Sequence, residues 1–288
     1  MKRWYWVIIF ILPLLSQAND DCTGNWTVRF IDEQSDVRPN FGESAWIKAY
    51  VEVGSSLRQC ASSVVISAKS EPQFWLKGPQ GRIALQFFDK QSVPLTLVDS
   101  RSVRLNLEQS KLTYFWLKIP QGTFLSAGQY STSVDVQLIS STHHRPISTQ
   151  TKNIHYYVKP FASMKLDSSR YSWMRSTGSY HQVMLGHLKN GLKRQFDFQV
   201  LSNTNVTMKV EPEYGELKHV DAQGSIPYYL LVNRQRVKAS KHPVSFELGR
   251  MSARTPSVIP FGIEVGSTRN AIAGNYREVL KVSVIARP

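Results

Sequence analysis

Few side chains in this 288-residue sequence are spaced in a way that could support chemistry. The only cysteines are Cys22 and Cys60, and three glutamates between positions 211 and 216 lie close to His219. That acidic group could bind a metal ion or exchange protons, although a solvated turn explains the same pattern. The sequence contains no nucleophile-elbow, zinc-protease or phosphate-binding motif. It therefore predicts no catalytic residue, no metal site and no cofactor, and indicates that the protein is not an enzyme.

The first 18 residues have the pattern of a secretory signal peptide. Lys2 and Arg3 give a positive start, an apolar run extends from Val7 to Leu15, and Ser16-Gln17-Ala18 provides small residues for cleavage. A lone membrane anchor is the alternative, but this run is shorter than the roughly 20 residues that span a bilayer. We therefore expect export through the periplasm and a mature chain of 288 − 18 = 270 residues.

In an oxidising compartment, two cysteines are expected to form a disulfide. A bond between Cys22 and Cys60 would close a loop of about 38 residues and stabilise the fold by about 3–4 kcal/mol. The alternative is a metal or catalytic role for the pair, but no histidine or aspartate accompanies it at a suitable spacing. The sequence therefore predicts the Cys22–Cys60 disulfide.

The chain carries an excess of positive charge. The formal net charge is +14, and removing the two positive charges of the signal peptide leaves 14 − 2 = +12. A basic surface attracts anionic partners such as lipopolysaccharide, acidic polysaccharide, nucleic acid or an acidic protein. Solubility alone is an equally good explanation, because the charges are scattered and alternate with other residues, as on the solvated face of a strand. We expect no nucleic-acid partner.

Pairs of adjacent aromatic residues are the better candidates for binding. On a strand, consecutive side chains point to opposite faces, so one ring of each pair is expected to point outward. An outward apolar patch would suit attachment to surfaces or sugars, whereas packing between domains or beneath loops is the alternative. The candidate surface-binding aromatics are Phe74, Trp75, Phe87 and Phe88.

The composition and the hydrophobic pattern favour strands over helices. Short segments rich in β-branched and aromatic residues alternate with turn residues, which is typical of β-sandwiches. We therefore predict an all-β protein of two Ig-like β-sandwich domains, with residues 19–159 in the first and 160–288 in the second. The clearest predicted strands are Asn25–Ile31, Ala45–Val53, Ser63–Ala68, Ile83–Phe88, Leu112–Ile119, Phe196–Leu201, Val206–Val210, Tyr228–Val232 and Pro260–Val265.

An internal repeat supports the division into two domains. Ala127-Gly128-Gln129-Tyr130 recurs as Ala273-Gly274-Asn275-Tyr276, a shift of 273 − 127 = 146 residues, and an Ile-Pro pair precedes each copy. Glycine can take positive φ in a tight turn, and the tyrosine then begins a strand with period-two patterning. The predicted closing strand of the second domain contains Ala273, Gly274, Tyr276, Leu280, Val282 and Val284.

This repeated ending resembles the spore coat protein U family, which includes the subunits of Csu-type (archaic) chaperone–usher pili. The resemblance implies a pilin-like second domain, an incomplete sandwich that lacks one strand. A periplasmic chaperone fills the gap first, and the N-terminal segment of the adjacent pilin subunit replaces it at the outer-membrane usher. The second domain departs from many members of the family because it has no cysteine.

The resemblance and the position of Cys22 together predict a tip subunit. Cys22 is the fourth residue of the expected mature chain, whereas a donor segment needs roughly 10 free residues to run along a sheet. We therefore expect a chain that accepts a strand but does not donate one, at the fimbrial tip on the cell surface, attaching to an abiotic surface or a glycan. The alternatives are a periplasmic pilus-assembly chaperone and a free secreted carbohydrate-binding module.

Overall fold

The computed structural model describes residues 22–31 and 44–287. Strands dominate this part of the chain, and every pairing between them is antiparallel, which confirms the predicted all-β class. No helix in these two ranges is long and apolar enough to cross a membrane. The predicted signal peptide, residues 1–18, lies outside the described residues.

We call residues 22–158 the N-terminal unit, and its described residues, 22–31 and 44–158, contain eleven strands. A four-residue helix, α1, spans Ser55–Arg58, and a single 3-10 turn spans Gly122–Phe124. The strands are β1 (Trp26–Phe30), β2 (Ala45–Val53), β3 (Ala61–Ala68), β4 (Trp75–Gly78), β5 (Gly81–Ala84), β6 (Gln86–Asp89), β7 (Thr96–Asp99), β8 (Ser102–Asn106), β9 (Leu112–Ile119), β10 (Gly128–Ser140) and β11 (Pro146–Val158).

The N-terminal unit is a sandwich of two sheets. One sheet has the order β1-β2-β9-β6, and the other has the order β5-β4-β10-β3-β8-β7 with β11 added to β10. Period-two patterning places alternate residues of each strand in the core between the sheets. On β2, for example, Ile47, Ala49 and Val51 are buried, whereas Lys48 is exposed.

Thirteen strands form the C-terminal unit, residues 162–287. Ser168–Arg170 is a 3-10 turn, for which Asp167 accepts a hydrogen bond from the Ser169 amide. The strands are β12 (Ala162–Leu166), β13 (Met174–Thr177), β14 (Tyr180–Val183), β15 (Lys193–Ser202), β16 (Asn205–Pro212), β17 (Leu217–His219), β18 (Ser225–Ile226), β19 (Tyr228–Val232), β20 (Gln235–Lys238), β21 (Val244–Arg250), β22 (Ser257–Val265), β23 (Tyr276–Arg277) and β24 (Leu280–Arg287).

The C-terminal unit has its own core, separate from the first. A five-stranded sheet of order β12-β15-β22-β19-β20 packs over a three-stranded sheet of order β21-β16-β24, and two small sheets, β13-β14 and β18-β17-β23, extend the fold. Phe196, Phe198 and Phe261 form the centre of this second core, with ring centroids 5.1–5.5 Å apart.

Most predicted strands are present, and two predictions are wrong. The segment Ile83–Phe88, predicted as a single strand, is divided between β5 and β6, which belong to different sheets. The chain crosses from one sheet to the other at Leu85, whose side chain is buried and whose amide donates to the Phe74 carbonyl at 2.9 Å. The period-two pattern continues through this crossing, so it does not reveal the break.

The predicted closing strand is divided: Tyr276 lies in β23 beside β17, whereas Leu280, Val282 and Val284 lie in β24 beside β16, in a different sheet. Ala273 and Gly274 lie in the bend before β23.

The predicted disulfide is present. Cys22 and Cys60 are bonded, with their Cα atoms 6.0 Å apart. The bond joins the segment before β1 to the turn that follows α1. It therefore ties β1, at the edge of its sheet, to the chain that leads into β3.

A buried asparagine contributes to the contact between the two units. Asn203, 3% exposed, lies in the turn between β15 and β16. Its amide nitrogen donates to the Lys159 carbonyl and its oxygen accepts from the Phe161 amide, both at 2.9 Å. Its own carbonyl accepts from the Ala127 amide, also at 2.9 Å. One asparagine therefore joins the connecting segment and the repeated motif of the first unit to the second unit.

Candidate functional site

The two copies of the repeated motif have the same turn geometry. Gly128 has φ +134° and Gly274 has φ +147°, in a region that side-chain-bearing residues rarely adopt. A Cβ atom on Gly128 would overlap the Pro79 ring, and one on Gly274 would overlap the His219 ring. Positive φ at both glycines confirms the prediction made from the Ala-Gly pairs.

The tyrosine of each copy closes the turn in the same way. The Tyr130 hydroxyl donates to the Ser126 carbonyl at 3.1 Å, and the Tyr276 hydroxyl donates to the Ile272 carbonyl at 2.8 Å. Each bond reaches back four residues and fixes the corner at which the next strand begins. Tyr130 is fully buried, and this burial raises the pKa of its phenol.

After the turn, the strand of the first copy, β10, is paired on both edges. β10 pairs with β11 along almost its whole length, and its opposite edge pairs with β3 over Val134–Ser140. The alternate apolar residues Val134, Val136 and Leu138 are each 0% exposed. The N-terminal unit therefore supplies from its own sequence the strand that completes the sheet beside β10.

The strand that follows the second copy, β24, is paired on one edge only. Within the described ranges, β24 pairs with β16 from Leu280 to Arg287 and with no other strand. Its core-facing residues are only partly buried, in contrast to their equivalents on β10, and Ile285 on the other face is 46% exposed. The repeat thus begins in the same way in both units and ends differently.

Strand β12 lies next to the free edge of β24. Cα atoms of the two strands approach within 8 Å, although no backbone pairing joins them and β12 pairs only with β15 in the described part of the chain. Apolar side chains on both strands contact the core while remaining partly exposed. We call these two edges the acceptor groove, formed by Ala162, Met164, Leu166, Leu280, Val282 and Val284.

A carboxylate fixes the beginning of β24. Glu278 accepts hydrogen bonds from the backbone amides of Tyr214 at 3.0 Å and Val279 at 2.8 Å, and from the Tyr228 hydroxyl at 3.3 Å. Burial, and secondarily the charge of Glu278, raise the pKa of the Tyr228 phenol. The free edge therefore has a defined starting point. The role of Glu278 was not predicted from the sequence, where it is a lone acidic residue in the closing segment.

The three glutamates near His219 make separate contacts and do not form one cluster. Glu211 forms an ion pair with Lys209 at 2.6 Å. The Nδ1 atom of the His219 ring accepts hydrogen bonds from two backbone amides. The proton of this ring therefore lies on Nε2, which donates a hydrogen bond to the Ala273 carbonyl at 3.1 Å. Across residues 22–31 and 44–287, no group of three or more His, Cys, Asp or Glu side chains is arranged to hold a metal ion. His219 instead packs on Tyr276 and supports the turn before β24.

The predicted surface aromatics divide between core and surface. Phe87 is only 4% exposed, and Phe74 packs against it with ring centroids 4.6 Å apart, so these two rings contribute to the core. Phe87 is excluded as a surface-binding residue because the inward face of β6 carries it, whereas Phe74 precedes β4 and is only partly buried. Trp75 and Phe88 remain partly exposed. Three exposed apolar residues on and beside β7 were not predicted as surface residues: Val93, Leu97 and Val98.

Comparison with known proteins finds no matching family model and no matching curated protein. Among solved structures, the chain is similar to a chain of the CsuC–CsuE chaperone–tip adhesion subunit complex of Acinetobacter baumannii Csu pili. The identity is 11%, the TM-score is 0.44, and the match covers 85% of this chain and 92% of that chain.

Two further solved structures are similar over much of their length. The CupB6 tip adhesin of Pseudomonas aeruginosa is 9% identical with a TM-score of 0.36, covering 91% of each chain. CfaE, the adhesive subunit of CFA/I fimbria of enterotoxigenic Escherichia coli, is 12% identical with a TM-score of 0.35, covering 78% of this chain and 81% of that chain. At such low scores, the function of this chain has to be inferred from its own geometry.

The turn that leads into β23, just before β24, should be destabilised by any side chain at Gly274. Replacing Gly274 with alanine places a methyl group against the His219 ring and also forces alanine to adopt a positive φ. Gly249→Ala is the matched control: Gly249 also has a positive φ, +78°, but no atom lies within 4 Å of the added methyl group, so the only penalty is backbone strain. We expect Gly249→Ala to lower the free energy of unfolding by about 1–3 kcal/mol and Gly274→Ala to lower it further. Urea unfolding measures both values, and equal losses would contradict this account of the turn.

Proposed function

We propose that this chain is the tip subunit of a chaperone–usher pilus, and that its C-terminal unit accepts a β-strand from another protein. The observation that carries the proposal is the unpaired edge of β24 beside β12, lined by half-buried apolar side chains. An edge strand presents a row of backbone donors and acceptors to which a further strand can add.

The N-terminal unit provides an internal standard for what the added strand would do. There, β11 occupies the edge of β10 and directs Ile154 and Val158 into the core, both buried. A donor strand with alternating apolar residues would have the same role beside β24. It would bury Leu280, Val282 and Val284, as Val134, Val136 and Leu138 are buried on β10.

The partners that supply such a strand follow from the resemblance of the closing motif to the spore coat protein U family. In this proposal a periplasmic chaperone covers the acceptor groove first, and an adjacent pilin subunit replaces the chaperone at the outer-membrane usher. Residues 160–288 form this accepting domain. Residues 19–159 form a receptor-side domain that is complete in itself and mediates attachment to a surface or a glycan.

A charge in the acceptor groove should block strand addition. We expect Val282→Asp to abolish co-purification with the periplasmic chaperone, because the carboxylate would lie between the core and the added strand. Ile285→Asp, on the opposite face of the same strand, is the matched control and should leave the complex intact. Affinity purification from the periplasm, followed by quantification of the bound chaperone, measures both. A Val282→Asp chain that retains the chaperone in normal amounts would contradict strand addition at this edge.

The tip position has its own test. Because the N-terminal unit is already complete, we expect one copy of this subunit at the distal end of each fibre. Immunogold labelling of intact fibres with an antibody against the N-terminal unit should place label at fibre ends. Label distributed along the shaft would show instead that the chain both accepts and donates strands.

A further inference from the structure

The outer face of the four-stranded sheet carries a dense group of aromatic rings. Alternation along β2 and β9 directs Ile47, Val51 and Leu117 into the core, and it turns the residues between them outward. These outward rings are therefore not needed to fill the interior of the sandwich. The outward aromatic residues are Trp46, Tyr50, Phe88, Tyr114 and Trp116.

Strand register brings these rings into contact with one another. Tyr50 lies opposite Tyr114, with ring centroids 5.9 Å apart, and Phe88 lies opposite Trp116 on the neighbouring strand. Trp46 and Phe88 are in edge-to-face contact at 5.1 Å. Outward residues on one strand are about 6.6 Å apart, and neighbouring strands are about 5 Å apart. The rings therefore occupy an area of roughly 13 Å by 10 Å on the sheet.

Cationic side chains lie among the rings. The Lys48 ammonium is 4.7 Å from the centre of the Tyr114 ring, and the Lys118 ammonium is 5.4 Å from Trp46 and 5.8 Å from Phe88. In the described part of the chain, neither lysine forms an ion pair. The one carboxylate among the outward residues of β2 and β9, Glu52, is paired with Lys111 at 2.8 Å.

We propose that this outer face, named here the ring-and-lysine face, binds an acidic polysaccharide. The C–H faces of sugar rings pack on aromatic rings, and the carboxylates of a uronic acid polymer can reach Lys48 and Lys118. Both lysines already lie over rings, and no acidic side chain of the described residues pairs with them, so an anionic ligand would balance their charge. A paired sheet holds the rings in place, which lowers the entropy cost of binding.

This inference rests on the proposed attachment function and identifies the ligand class and the residues involved. It goes beyond the predicted aromatics, since only Phe88 among them belongs to the face. A row of rings along an open sheet face suits an extended chain lying across the sheet better than a small ligand enclosed in a pocket. The exposed group at β7 has apolar residues but no comparable array of rings and lysines, and it serves as an internal comparison.

Binding to polygalacturonate and to neutral dextran, measured by affinity electrophoresis on the exported full chain with its chaperone, tests the assignment. We expect polygalacturonate to bind and dextran to bind much more weakly, and the binding to weaken with salt. Tyr114→Ala should bind polygalacturonate about tenfold more weakly. Tyr114→Phe, which keeps the ring, should bind normally, so that a general loss of folding in the alanine variant can be recognised.

A lysine variant and a distant aromatic control distinguish charge-dependent binding from nonspecific hydrophobic adsorption. Replacing Lys48 and Lys118 together with glutamine should weaken polygalacturonate binding and reduce its salt dependence. Tyr157→Ala, which removes an exposed ring from β11, should have no effect. Unchanged binding in both the Tyr114→Ala and the double glutamine variants would overturn the inference. So would dextran binding as tight as polygalacturonate binding, or adsorption to an octyl matrix that depends on Tyr114 in the absence of polygalacturonate binding.

The same preparations distinguish failure here from failure of the proposed pilus function. If the chaperone co-purifies with a chain that does not bind polygalacturonate, strand addition remains supported and only polysaccharide binding by the ring-and-lysine face is refuted. Polygalacturonate binding by a chain whose Val282→Asp variant still retains chaperone would support the face and contradict strand addition at β24.

Discussion

The pairing of backbone groups at a sheet edge is the constraint on which the structure depends. Each residue of a strand carries a donor and an acceptor, and a sandwich is complete only when its inner strands have partners on both sides. In the N-terminal unit, β11 satisfies this requirement for β10, and the residues between the sheets become fully buried. In the C-terminal unit, the same requirement is met on only one side of β24, and the equivalent residues stay partly exposed.

This difference separates the tasks of the two units. A complete sandwich can present a fixed outer face to a ligand, because its sheet does not change when partners bind. An incomplete sandwich gains stability when a strand arrives, so assembly and folding of the second unit become linked. Asn203 forms two hydrogen bonds with the connecting segment and one with the first unit. It adjoins Thr204, whose hydroxyl donates to the Arg287 carbonyl at the end of β24. The accepting edge and the contact between units therefore share one turn.

Local patterns predict local structure well in this chain. Ala45–Val53 and Leu112–Ile119 are strands with the predicted ends because their period-two patterns are uninterrupted, and the Ala-Gly pairs correctly indicate positive φ. Features that depend on distant partners were not predicted. The break within Ile83–Phe88 is set by which sheet each half joins, and the ring-and-lysine face exists only because β2, β6 and β9 become neighbours. Phe87 and Phe88 have similar sequence surroundings, and only the pairing with β9 assigns one to the core.

Amide hydrogen exchange along β24 tests the central claim most directly. In the chain alone, the amides of Leu280–Arg287 that are not bonded to β16 should exchange rapidly, whereas the amides of Val134–Leu138 on β10 should be protected throughout. Addition of the chaperone should then protect the remaining amides of β24 and leave β10 unchanged. Full protection of β24 before any partner is added, or no gain in protection afterwards, would contradict the account of β24 as an edge awaiting a strand.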